Sequence, residues 1–426
     1  MTPRWSDLDA ARRSRILYVT HASPVPAKIG PARRHFHILD QLSRFFDVHL
    51  LSLGNAVERE ACARAFADRV NAVTYARRQR PVAGKVFRKV VRTLSGRCDF
   101  LPVTEPHLRR LCQELTTTQR FSGIVLSSVL LGGLPLPDDV PIIADTHNVE
   151  FDVVRRTACS ADRLLMRCYA ATQWRATQRE EQRSAARVDL LLATSSRDRA
   201  MFEEELGARN VAVIPNGIDL KEFSPAGSTP EPATIVFTGL MSYFPNQQAI
   251  RWFLDTVFPS IRQRVPAARL IVVGAAPPAW LTRRAGDHIE VTGRVADVRP
   301  YLARATVVVA PLRIAGGTRV KILEAQAMAR PVVSTAVGAE GLELQHGQSI
   351  LLADDAPRFA ASVIDLLTNR RLSAQIANGG RQHVVEHFNW DNIGNTLRCL
   401  LDDQLGGIRE VSAPASPLVR RIGAWQ

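Results

Sequence analysis

Short apolar runs alternate with longer amphipathic stretches along most of the 426-residue chain, and that rhythm leaves few folds open. In the first half the runs are Ile16–Val19, Val48–Leu53, Ile124–Val129, Val140–Ala144 and Val188–Ala193. In the second half they are Ile235–Thr238, Leu270–Val273, Ile289–Val291, Val307–Ala310, Val332–Ser334 and Ile350–Leu352. Unbroken Val, Ile and Leu runs of this length are what parallel strands buried on both faces require. Helical patterns lie between them, among them Arg33–Phe45, Ala161–Ala186, Gln247–Arg264 and Thr318–Met328. The fold class is therefore α/β, with two doubly wound parallel sheets.

A seam divides the two sheets. Pro215-Asn216-Gly217-Ile218-Asp219 is a turn cluster, and Ser224–Pro232 holds three prolines without periodicity. The expected organisation is a first domain over 1–214, a linker over 215–232 and a second domain over 233–385. A C-terminal helix over 386–405 is expected to pack back on the first domain, followed by a loose tail over 406–426 containing Gly406, Gly407, Pro414 and Pro417. No repeat of solenoid length is visible.

Composition removes several classes. Cys62, Cys98, Cys112, Cys159, Cys168 and Cys399 include no C-x-x-C pair and no zinc-finger grouping with histidine. Reduced thiols in a cytosolic protein are expected. The start, Met1–Arg15, mixes Asp7 and Asp9 with four arginines and has no signal-peptide apolar core. The most apolar stretch, Phe121–Pro137, is interrupted by Ser127, Ser128, Gly132, Gly133 and Pro135, so no membrane crossing is expected.

The net charge of +14 is concentrated. Up to residue 220 there are 33 basic and 24 acidic residues, an excess of nine. Eight basic residues (Arg77, Arg78, Arg80, Lys85, Arg88, Lys89, Arg92 and Arg97) follow one another without an acid. Val82, Val86, Phe87, Val90, Val91 and Leu94 are interleaved with them. This pattern suits an amphipathic segment on an anionic membrane surface, the expected partner, with a solvated basic loop as the alternative. One aromatic residue, Phe87, is too few for a stacking platform, so nucleic acid is not an expected partner.

The segment most informative about chemistry is Arg313-Ile-Ala-Gly-Gly-Thr-Arg-Val-Lys-Ile-Leu-Glu-Ala325, placed after the run Val307–Ala310. A glycine-rich turn there opens a helix at the carboxyl end of a parallel strand, where free N–H groups and the helix dipole favour an anion. Gly316 and Gly317 let a diphosphate approach the backbone. Arg319 and Lys321 can add charge-assisted bonds, and Glu324 can accept from vicinal ribose hydroxyls. The same residues also suit a capped surface helix with a Lys321–Glu324 pair. The P-loop spacing is absent. His383 and His387, four apart, lack the H-E-x-x-H pattern and read as helix surface, and His35 and His37 face different directions, so no metal site is expected.

Gly316-Gly-Thr-Arg-Val-Lys-Ile-Leu-Glu-Ala325, Arg330-Pro-Val-Val-Ser-Thr335 and Val337-Gly-Ala-Glu-Gly-Leu342 together closely resemble the donor domain of glycosyltransferase family 4, a GT-B fold. Ile214–Asp219, Phe237-Thr-Gly239, Gly293-Arg-Val295 and Phe388-Asn-Trp390 stand in the family's order. The resemblance spans about residues 15 to 405 and is closest to members acting on bacterial surface polysaccharides, including those linked to exosortase systems. It implies two Rossmann-like domains facing a cleft, with the acceptor in the first and a nucleoside diphosphate sugar in the second.

The resemblance also assigns roles. Glu324 matches the second glutamate of the family's E-x7-E pair, whereas position 316, the place of the first, holds Gly316. Leu240–Asn246 lacks the family's basic residues, which leaves the diphosphate to Arg319 and Lys321. Gly239, Gly316, Gly317 and Thr318 line the donor site. Gly293, Arg294 and Val295 meet the nucleobase mainly through backbone. Gly30 ends the loop after the first strand that approaches the donor phosphates. His147, within Asp145–Glu150, matches a histidine placed beside the donor sugar, with Asp145, Asn148 and Glu150 on the acceptor side.

What the resemblance implies is retaining hexosyl transfer without a metal ion or other cofactor. The acceptor hydroxyl attacks from the leaving-group side and the diphosphate takes its proton. The acceptor is a glycan or a lipid-linked sugar, and the enzyme is cytoplasmic or peripheral on the inner face of the plasma membrane. Two alternatives stay open: a nucleotide-sugar epimerase of the same fold, and a catalytically weak nucleotide-sugar or anion-binding module.

Overall fold

The computed structural model describes residues 13–25, 30–67, 69–77, 98, 105–160, 164–225, 229–314 and 318–405. The glycine turn with Gly316 and Gly317, the basic stretch beyond Arg77 to residue 97 and the tail from 406 lie outside the described residues. The chain forms two compact units, Met1–Pro215 with the segment from Asp391 on, and Asn216–Trp390.

The first unit holds a seven-stranded parallel sheet. Its strands are β1 (Arg15–Thr20), β2 (Asp47–Gly54), β3 (Ala72–Arg77), β4 (Gly123–Leu126), β5 (Ile142–Asp145), β6 (Leu190–Ala193) and β7 (Val211–Val213). They lie in the order β3-β2-β1-β4-β5-β6-β7, so the winding reverses between β1 and β4. The second unit repeats the plan with β8 (Thr234–Thr238), β9 (Arg269–Val273), β10 (Ile289–Gly293), β11 (Val307–Ala310), β12 (Val332–Ser334) and β13 (Leu351–Leu352). Its order is β10-β9-β8-β11-β12-β13, all parallel, with the reversal between β8 and β11.

Interior strands such as Gly123–Leu126 and Val307–Ala310 are buried along their whole length, which is why they read as continuous apolar runs. Two strands escaped that reading, β3 and β7. Both lie at sheet edges, where one flank has no neighbour and a weaker apolar sequence suffices.

The helix expected over Gln247–Arg264 is interrupted. Helices Phe244–Trp252 and Phe258–Arg264 are joined by a wide turn at Phe253–Val257, in which the Phe258 N–H donates to Phe253 O. Pro259 explains the break, because its ring cannot donate to, and crowds, the carbonyl four residues back.

Helices Arg370–His387 and Trp390–Gln404 are separated at Phe388-Asn389. There Ile218 N–H donates to Phe388 O at 2.7 Å, and a Cβ on Gly217 would stand 2.6 Å from the Trp390 ring. Gly217 and Ile218 therefore pack on the Phe388–Trp390 segment, far away in sequence. Further along, Gly394 lets helix Trp390–Gln404 close on Gln41 of helix Gly30–Phe45, and Arg44 pairs with Asp391 at 3.1 Å.

Candidate functional site

In open parallel sheets, ligand groups collect beyond the carboxyl ends of strands where the winding reverses. In the second unit this place is formed by the segments after β8 and β11. Gly239 follows β8, donates to Val273 O at 2.9 Å, and leaves no room for a side chain. A Cβ there would lie 2.7 Å from Asn246 Nδ2 and 2.9 Å from Lys321 Nζ. Gly274, after β9, is closer still, since its Cβ would meet Gly239 O at 1.7 Å. Two backbone turns are thus pressed together.

Helix Val320–Ala327 starts beside this floor. Lys321, half-buried, donates to Asn246 Oδ1 at 2.9 Å and stands 4.5 Å from the centre of the Phe237 ring. Burial pushes its amine down to about 7, Glu324 works against that shift, and Arg319 adds to it. A nearby anion would favour the charged form of this amine. The hydroxyls of Thr238 and Thr318 are buried with no hydrogen-bond partner among the described residues. Two unspent donors at this place suit a ligand rich in acceptors. Glu324 is buried one turn beyond Lys321.

Arg319 plays a different part from the one expected. Its side chain is buried, with Nε donating to Gly338 O at 2.9 Å and Nη2 donating to Glu340 O. Much of the guanidinium therefore braces the Val337–Leu342 segment, leaving Lys321 as the main cation at the strand end. Gly293 adopts φ 69°, Arg294 is exposed, and Val295 packs against the hydrophobic core.

The corresponding place in the first unit holds three histidines. His21 follows β1, His35 lies on helix Gly30–Phe45, and His147 follows β5. Their ring centres are 5.3 Å (His21–His35), 6.0 Å (His21–His147) and 5.9 Å (His35–His147) apart. His21 Nδ1 shares a hydrogen bond with the Ser127 hydroxyl at 3.2 Å, as does His35 Nδ1 with that of Thr20 at 3.2 Å. Burial, then His21 and Arg34, pushes His147 down to about 3. It is a neutral imidazole near pH 7, with one ring nitrogen able to donate and the other to accept. It is not an ion-pair partner for Glu150, whose Oε1 lies 3.8 Å away. Sequence reasoning missed His21, although its position just past a central strand is the signal that marked His147. It read His35 only as a helix residue.

Asp145, expected on the acceptor side, is fully buried against Arg34 instead, with Nη2 to Oδ1 at 2.5 Å and Nε to both carboxylate oxygens at 3.0 and 3.1 Å. The same guanidinium donates to Ile214 O at 2.9 Å and Pro215 O at 3.2 Å. Asp145 therefore anchors the chain where the first unit ends rather than reaching an acceptor. Asn148 Nδ2 lies 3.4 Å from Glu150 Oε1. Gly30 opens helix Gly30–Phe45. His383, read as surface, instead bridges to Leu342 O at 2.8 Å, while His387 stacks on it.

A second missed residue is Glu181. Its carboxylate accepts from Glu150 N at 2.9 Å and Phe151 N at 2.8 Å, capping helix Glu150–Ser160 from another helix. Burial, with repulsion from Glu150, raises it to about 8 against the pull of those N–H groups. A raised folded-state pKa means that stability is full below the unfolded value of about 4.5 and falls as pH rises toward 8. Glu181→Gln is accordingly expected to flatten the fall in Tm between about pH 5 and 8, measured by thermal melts across that range.

Among the described residues no group of three or more His, Cys, Asp or Glu is placed to hold a metal ion, and no helix is long and apolar enough to cross a membrane.

The model described as "Glycosyltransferase Family 4" matches residues 30–222, and that described as "Glycosyl transferases group 1" matches residues 232–369. The chain belongs to glycosyltransferase family 4. Its two parallel-sheet units have the GT-B fold, as does Anabaena HepE, solved with UDP and glucose. That structure is 16% identical, with a TM-score of 0.63, covering 91% of this chain and 99% of HepE. Among curated relatives, this family 4 chain is 29% identical over 246 residues to the GDP-mannose-dependent alpha-(1-6)-phosphatidylinositol monomannoside mannosyltransferase of Mycobacterium tuberculosis. It is 27% identical over 254 residues to the D-inositol 3-phosphate glycosyltransferase of Salinispora tropica. The first match covers 51% of this chain and 62% of the relative; the second covers 52% of each. The family 4 chain thus matches less than two thirds of the length of these curated relatives.

Proposed function

We propose that this protein moves a hexosyl group from a nucleoside diphosphate sugar to a glycan or lipid-linked acceptor, with retention and without a metal ion, in bacterial surface-polysaccharide synthesis. The observation that carries the reading is the strand-end site of the second unit. A half-buried lysine, two unspent threonine hydroxyls and a buried glutamate gather beside a floor of glycine backbone. As the sugar–phosphate bond breaks, charge grows on the diphosphate, and Lys321 with the helix N–H groups meets it. In the first unit, the neutral His147 imidazole offers a hydrogen bond suited to a hydroxyl-bearing substrate. The acceptor oxygen attacks from the diphosphate's side, the bond to the sugar anomeric carbon passes to it, and its proton goes to the departing phosphate oxygen. The basic stretch 77–97 would hold the enzyme against anionic lipid, where a lipid-linked acceptor is found.

The test incubates the purified full chain with GDP-mannose, UDP-glucose and related donors. Membrane extract and anionic vesicles are each added or withheld, and EDTA is included in one arm. Release of nucleoside diphosphate together with a glycosylated lipid or glycan of unchanged anomeric configuration, insensitive to EDTA, is the expected result. Binding of the nucleotide sugar without turnover in any arm would instead favour the weak binding module that Gly316, in place of a family glutamate, brings into view.

A further inference from the structure

The segment after β8 carries no basic residue from Leu240 to Asn246, yet it still reaches the phosphate end of the site, through an amide. Asn246 is buried on helix Phe244–Trp252. Its Nδ2 donates to Leu240 O at 2.9 Å, and its Oδ1 accepts from Lys321 Nζ at 2.9 Å. Both contacts fix the same orientation, since a carbonyl can only accept and an ammonium can only donate. The amide cannot flip without losing both.

We infer that Asn246 is a positioning residue, which holds the Lys321 ammonium over the Gly239 floor and aims it at the donor diphosphate without neutralising it. The inference rests on the nucleotide-sugar reading above and concerns the chain's own substitute for the missing basic residues. Asn246 is the only hydrogen-bond partner of the Lys321 amine among the described residues, and the Phe237 ring covers another side of it. The remaining N–H is left for a ligand. An aspartate in place of Asn246 would have the same shape but would draw the cation into an ion pair and compete with phosphate. An amide orients it and leaves its charge unspent.

The charged groups acting on the amine are Glu324 and Arg319, both on its own helix or its cap. Those facing it from β8 and helix Phe244–Trp252, Phe237 and Asn246, are neutral. This allows a readout that packing alone would not move. In the parent, the free site charges near pH 7, so nucleoside diphosphate binding should weaken as pH rises through that value. Asn246→Asp should move this limb upward by about one pH unit or more while weakening binding at pH 6.5. Asn246→Ala should weaken binding about 10-fold or more, through loss of a hydrogen bond to a charged group. Asn246→Ser, with a shorter acceptor, should fall between alanine and the parent.

Calorimetric titration of GDP and UDP from pH 6 to 9 reads these differences without turnover, and kcat and KM for the donor follow in parallel. Thermal melts identify a variant that fails to fold, in which case the isosteric aspartate decides. An unmoved limb and parent-like affinity in Asn246→Asp would overturn the positioning role. If the parent itself bound no nucleotide, the nucleotide-sugar reading would fall, and the positioning role with it.

Discussion

If the proposed transfer is the reaction, Lys321→Ala is expected to lower kcat/KM for the nucleotide sugar by about 10²–10³-fold, the usual effect of losing one fixed donor to charge developing in the transition state. The loss should be largest in kcat, because the diphosphate carries more charge as it departs than while the sugar is attached. Nucleoside diphosphate affinity should also fall. Single-turnover release of nucleotide, measured beside equilibrium binding, separates the two. Arg319→Ala is the informative comparison. Its guanidinium braces the carbonyls of Gly338 and Glu340, so it should lower Tm as well as activity. Lys321→Ala removes a half-buried amine whose charge the fold disfavours, and it should leave Tm near or above that of the parent at neutral pH. A parent-like turnover in Lys321→Ala would show that the diphosphate is held elsewhere.

The second large effect concerns stability. Asp145→Ala leaves the Arg34 guanidinium buried without its carboxylate, and breaking such a pair on one side costs about 3–5 kcal/mol. For a unit of this size the expected fall in Tm is roughly 6–20 °C. Asp145→Asn keeps the shape and one acceptor and should cost less. Calorimetry on the full chain, where two units give one or two transitions, would assign the loss to the first unit. Equal melts for parent and Asp145→Ala would contradict the role given to this pair. Since Arg34 also holds Ile214 and Pro215, the damage should extend to the last residues of the first unit.

What could be read from the sequence follows from how many neighbours each segment has. Val307–Ala310 and Ile16–Val19 are buried on both faces, so their composition alone marks them as central parallel strands. Ala72–Arg77 and Val211–Val213 lie at the sheet's two edges and carry too few bulky apolar residues to stand out. Helix Val320–Ala327 was legible because Lys321 and Glu324 fall within one short stretch that follows an apolar run. Glu181 was not, because Arg179-Glu-Glu-Gln-Arg183 looks like a solvated helix face. Only tertiary packing puts one of its two acids on the N–H groups of Glu150 and Phe151. The Arg34–Asp145 pair joins residues 111 positions apart, and nothing local announces it. A polar residue at a strand's carboxyl end looked like a ligand group, and in this case the fold spends it as an internal tie.

The bond between Ile218 and Phe388 ties the beginning of the second unit to its end. The second unit is one uninterrupted span of chain, whereas the first is split around it and completed by the helix from Asp391. During synthesis, the second unit can close its sheet as soon as it has emerged from the ribosome. The first must wait, with the Gln41 surface uncovered, until the last helix arrives. The order in which the domains are written is therefore the reverse of the order in which they can be finished.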